Sequence, residues 1–108
     1  MIPQGVQVFI AIDPVDMRGS FDRLSGLALQ TTGFDARSGA VFVFYSRRRD
    51  AVKLLFFDGS GLAIFYKRLD KNVFPAVASA AEGASYVELD PALIEVLLDG
   101  LPVAAQCH

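Results

Sequence analysis

The chain has 108 residues, 53% of them hydrophobic and 20% charged, with a net charge of −2 and a single cysteine. This is the composition of a folded protein rather than a disordered or fibrous one, and its length suits one domain, residues 1–108, whose core buries roughly two-thirds of the unfolded chain's surface. No apolar run approaches the roughly 18 residues of a membrane helix, no basic segment leads into an apolar stretch as in a signal peptide, and Cys107 has no partner for an internal disulfide, so a cytoplasmic protein without a membrane partner is expected.

In chain order, Val6 to Ile12 is β-branched and aromatic and predicts a first strand that stops at Asp13-Pro14. Ser20 is placed to cap a helix over residues 20–32, in which Phe21, Leu24, Leu27 and Ala28 recur at helical spacing, with Gly33 just past its end. Val41 to Tyr45 predicts a second strand. Val52 to Phe57 and Leu62 to Lys67 flank Asp58-Gly59-Ser60-Gly61, a turn sequence that joins two antiparallel strands. Residues 75–85, rich in Ala, Ser and Gly without a clear period, predict a loop, and Tyr86 to Leu89 a short strand. Asp90-Pro91 has the order of a helix start, and Gly100 and Pro102 that of a helix stop. Of this last helix, Leu93 and Val96 or Leu97 are expected to be buried and Glu95 and Asp99 exposed, with a further apolar strip left open for docking. The sum is an α+β fold, a mainly antiparallel sheet of four to five strands with two packed helices.

The charge divides unevenly along this order. Residues 1–36 carry Arg18 and Arg23 against Asp13, Asp16, Asp22 and Asp35. Residues 37–71 carry Arg37, Arg47, Arg48, Arg49, Lys53, Lys67, Arg68 and Lys71 against Asp50, Asp58 and Asp70, whereas Glu82, Glu88, Asp90, Glu95 and Asp99 in the remainder face no Lys or Arg. With 58–61 as the turn, Phe57 is expected opposite Leu62, Leu55 opposite Ile64, Lys53 opposite Tyr66 and Val52 opposite Lys67. Arg47, Arg48, Arg49, Lys53, Lys67, Arg68 and also Lys71 then meet at the end of the sheet away from that turn, beside Tyr45 and Tyr66. Any one of these cations reads most simply as a solvated side chain over apolar strands. Concentrating so many on one edge gains the fold no stability, and guanidinium forks suit phosphate oxygens while tyrosine rings suit unpaired bases, so DNA is the expected partner.

The run VFIAIDPVDMRGSFDRLSGL followed by SGAVFVFYSRRRDAVKLLFFDGSGLAIFYKRLD resembles the TnpB accessory proteins of the insertion-sequence-66 group of bacterial transposable elements. The resemblance spans about residues 5 to 75 and rests on Asp16-Met17-Arg18, the Phe-Val-Phe strand before Arg47 to Arg49 and Asp50, Lys53-Leu54-Leu55, Asp58-Gly59-x-Gly61 and Tyr66-Lys67-Arg68-Leu69. Gly19, Phe56-Phe57 and Val73-Phe74-Pro75 depart from the Lys, Trp and Trp-Pro that the family usually carries. What the resemblance implies is a role in transposition and DNA recombination beside a separate transposase and other proteins of the element, with no active site of its own and no cofactor.

Two mechanisms stay open at this point: contact with DNA phosphates through the basic edge, and an adaptor that docks on the transposase without touching DNA. A homo-oligomer is compatible with either. An enzyme is not expected. Asp13, Asp16 and Asp58 are the carboxylates a two-metal nuclease would need, but Asp58 belongs to the turn, and the lone Cys107 and His108 supply neither a metal site nor a nucleophile with its base.

Overall fold

The most apolar segments form the middle of a sheet. The computed structural model describes residues 6–77 and 83–105. Strand β1 (Val8–Ala11) is followed by helix α1 (Phe21–Thr32), strands β2 (Val41–Tyr45), β3 (Ala51–Phe57), β4 (Leu62–Arg68) and β5 (Tyr86–Leu89), a 3-10 turn at Pro91–Leu93 and helix α2 (Ile94–Leu98). The strand order is β4-β3-β2-β1-β5. Every residue of β1 and β2 is buried, as strands covered on both faces must be, whereas β4, at one edge, alternates between half-buried and exposed at its basic end.

Side chains alternate between the two faces. Phe9, Phe42, Phe44 and Leu55 lie on one face with Leu24 and Ala28 of α1. Val8, Ile10, Val41, Val43, Tyr45, Val52 and Leu54 lie on the other with Phe74, Ile94, Leu97 and Val103. Leu24 is fully buried, a contribution of about 2 kcal/mol in transfer free energy. Helix α1 starts after Ser20, which occupies the cap position without a side-chain hydrogen bond, and stops at Gly33, whose φ of 80° turns the chain and lets its N–H bond the Leu29 carbonyl. Asp90 accepts from the Ala92 N–H and so starts the turn that leads into α2.

The fold is the expected α+β arrangement, with a five-stranded and mostly antiparallel sheet. The pairs Phe57 with Leu62, Leu55 with Ile64, Lys53 with Tyr66 and Val52 with Lys67 are all present. The exception to antiparallel pairing is β1 against β2, which run parallel because α1 carries the chain back between them. The first strand is shorter than the apolar run that predicts it, Val8–Ala11 rather than 6–12. Of the loop expected over 75–85, residues 75–77 and 83–85 are without strand or helix, and 78–82 lie outside the described residues, as do Cys107 and His108. Among the described residues no helix is long and apolar enough to cross a membrane.

Candidate nucleic-acid interface

The pairing of β2, β3 and β4 fixes where the cations go. Tyr45 pairs with Val52, and Ala51 with Arg68, so the connection 46–50 and the end of β4 sit side by side, and the turn Asp58 to Gly61 is at the other end of the same strands. A hydrogen bond from the Leu69 N–H to the Asp50 carbonyl, 2.8 Å, continues the ladder past Arg68. The segment after β1 reaches this end too, since the Val15 N–H bonds the Tyr45 carbonyl at 2.9 Å.

The arginine connection is a closed turn. The Arg49 N–H bonds the Ser46 carbonyl at 2.9 Å, the Ser46 N–H bonds the Ala51 carbonyl at 3.0 Å, and the Ser46 hydroxyl donates to Asp50 at 3.0 Å while accepting from the Ala51 N–H at 3.1 Å. Arg47 and Arg48 form the corner of that turn. Both are exposed, and neither has a hydrogen-bond or ion-pair partner among the described residues.

The other cations of the cluster differ from them. Arg49 has a φ of 59°, in the left-handed region, and its guanidinium donates to the Phe74 carbonyl at 3.1 Å and the Pro75 carbonyl at 2.9 Å while lying 4.4 Å from the centre of the Tyr45 ring. Lys53 is 8% exposed, and its ammonium donates to the Met17 and Gly19 carbonyls at 2.6 and 2.8 Å, beneath the Tyr66 ring. Lys67, on the opposite face, donates to the Leu98 carbonyl at 2.6 Å. These three are held by backbone oxygens, which compensates the cost of withdrawing a charge from water. Arg68 and Lys71 are exposed; among the described residues the Arg68 guanidinium has one hydrogen-bond contact, to the Tyr66 hydroxyl at 3.4 Å, and that contact, with the Asp50 charge, favours its charged form and raises its pKa.

The seven cations expected on one edge therefore divide. Arg47, Arg48, Arg68 and Lys71 are open to an anion, and Arg49, Lys53 and Lys67 are occupied within the fold. Tyr45 is buried and Tyr66 is the exposed ring of the pair. Lys53 could have been recognised from its place between apolar residues in a strand with a neighbour on each side. Nothing in the sequence marks Arg49 as the left-handed residue of its turn, a position glycine or asparagine would announce.

Two of the three carboxylates considered for metal chemistry, Asp16 and Asp58, are engaged within their own loops. Asp16 forms an ion pair with Arg18 at 2.6 Å, and hydrogen bonds from that guanidinium and the Arg18 N–H hold its pKa well below the usual carboxylate range. Asp58 accepts from the Ser60 N–H, the Ser60 hydroxyl and the Gly61 N–H, and these bonds also lower its pKa. Asp13 and Asp58 lie at opposite ends of the sheet. Among the described residues no three metal-ligating side chains come together.

The acidic C-terminal segment also differs from expectation. Ile94 and Leu97 are buried and Glu95 and Asp99 exposed, but Leu93, Val96 and Leu98 are packed against the core and leave no open apolar strip along α2. Among the described residues the docking strip expected on this helix is not present, because the helix has five residues and its remaining apolar side chains pack against the core.

Residues 6–108 match the family described as IS66 Orf2 like protein. The chain is 35% identical over 103 residues to the Sinorhizobium fredii protein "Uncharacterized protein y4hO", covering 94% of this chain and 87% of the relative. It is 30% identical over 100 residues to "Uncharacterized protein y4jC" of the same organism, covering 91% and 81%. No solved structure matches it.

Proposed function

The chain belongs to the IS66 Orf2-like family, proteins associated with a transposition system rather than known enzymes, and from that premise we propose that it serves transposition by holding DNA phosphates at the basic end of its sheet. Arg47 and Arg48 carry the reading. They are fixed at the corner of a hydrogen-bonded turn, exposed and unpartnered among the described residues, with Arg68 at the end of the second strand over and Lys71 three residues beyond it. A guanidinium carried on a fixed turn and not used within the fold is available to a phosphate without first giving up an internal bond. The contact is to the backbone of the nucleic acid, so it orients the protein on DNA and carries little sequence preference.

On this reading the protein acts in the cytoplasm of its host, where the element's DNA is. The transposase of the same element is its functional partner, brought to the same DNA. Electrophoretic mobility shift with a labelled duplex tests the reading. The wild-type protein retards the duplex at low salt, and the R47A/R48A variant, with an unchanged far-ultraviolet circular dichroism spectrum, does not. If the wild type leaves the duplex unshifted yet co-purifies with the element's transposase, the adaptor mechanism replaces DNA contact.

A further inference from the structure

We infer that Tyr66 is a stacking site for an unpaired nucleobase, with Arg68 beside it for the phosphate that flanks that base; the inference rests on the nucleic-acid reading above and narrows it to a form of DNA.

Tyr45 and Tyr66 both lie at the basic end, and the structure separates them. Tyr45 is 2% exposed and packed on Phe74, with ring centres 5.5 Å apart, whereas Tyr66 is 45% exposed on the edge strand. Tyr66 is also held from beneath. Lys53, its cross-strand partner, places its ammonium 5.1 Å from the ring centre, and that ammonium is tied to the Met17 and Gly19 carbonyls. A ring fixed in this way gives up little rotamer freedom when a flat ligand covers it, which is the advantage of a preformed surface. Arg68, two residues on and therefore on the same face, brings an exposed guanidinium to the edge of the ring, where its Nη2 is 3.4 Å from the Tyr66 hydroxyl.

An aromatic face with a cation at its rim matches a nucleotide, whose base offers a π-face and whose phosphate offers an anion. Within a duplex both faces of each base are covered by neighbours. A surface tyrosine reaches a base face only at an end, a flap or a single strand. The corner arginines treat duplex and single strand alike, so preference for the latter resides in Tyr66.

Fluorescence anisotropy with a labelled single strand, its duplex, and a strand of equal length with abasic sugars tests this. The wild type is expected to bind the single strand about tenfold more tightly than the abasic strand. The Y66L variant loses that difference while its duplex affinity is retained, and the Y66F variant, which keeps the ring, behaves as the wild type. Equal binding of normal and abasic strands by the wild type overturns the inference without needing any variant, and so does a Y66L effect equal on duplex and single strand. In either case duplex binding that still depends on Arg47 and Arg48 leaves the phosphate reading standing; absence of binding to every probe overturns both.

Discussion

The Lys67 ammonium of β4 donates to the Leu98 carbonyl, the last residue of α2, at 2.6 Å. A cation that sequence places in a binding edge is thus the tie between the edge strand and the C-terminal helix. The helix has five residues and no basic residue in its own last turn, so the charge near its carbonyl end comes from the sheet. The K67M variant, which keeps the apolar stem, is expected to lower unfolding free energy by about 1 to 2 kcal/mol in urea titration, the worth of a partly buried charge-assisted bond. Its DNA affinity should change little.

Arg49 should be the most costly of the three consecutive arginines to replace. It fastens the segment after β4 to the turn before β3, through its side chain to Phe74 and Pro75 and through its carbonyl, which accepts from the Phe74 N–H at 2.6 Å. R49A loses both side-chain bonds and the ring contact and keeps a left-handed φ, for a loss of about 2 to 3 kcal/mol. R49G loses the same bonds but is free of the strain a Cβ carries at this φ, and should be about 1 kcal/mol more stable than R49A. Thermal or urea unfolding of the pair measures both terms, and an R49A protein as stable as the wild type would remove Arg49 from the structural group.

Tyr45 gives stability a pH dependence of definite sign. Burial pushes its hydroxyl up to about 12, against a small opposing pull from the Arg49 charge. An unfolded tyrosine ionises near pH 10, so between about pH 10 and 12 the unfolded chain has released a proton that the native chain retains, and stability falls as pH rises. The loss attributable to this group across the window is about 2 kcal/mol. Y45F keeps the ring against Phe74 and removes the ionisation. Urea midpoints of wild type and Y45F should therefore diverge above pH 10, with the variant the more stable, and should run parallel below it.

Much of this geometry is legible in the residues. The Asp58-Gly59-Ser60-Gly61 turn sets the pairing of β3 with β4, and from that pairing the convergence of 47–49 with 67–68 follows. The parallel β1 and β2 pair is not legible, because Val6 to Ile12 and Val41 to Tyr45 specify strands and not their order. Nor does the pattern of charge tell which cations are free. Lys67 and Arg68 are adjacent in sequence, but the alternation of a strand sends one to the α2 face and a backbone carbonyl, the other to the α1 face and solvent. Whether a cation meets an oxygen depends on α2, Phe74 and the segment after β1, which come from distant parts of the chain. The cations do gather at the end of the sheet that the turn predicts, and three of them, Arg49, Lys53 and Lys67, are internal fastenings.

The proposed role of Arg47 and Arg48 as phosphate ligands is tested most directly by the salt dependence of duplex binding by wild type and R47A/R48A. With three or four phosphates engaged by Arg47, Arg48, Arg68 and Lys71, log affinity should fall against log salt with a slope of about −3, from roughly −0.9 per phosphate, and the double variant should flatten it by about 2 while unfolding at the same urea concentration. A wild-type slope near zero, or one that the double substitution leaves unchanged, would contradict the account.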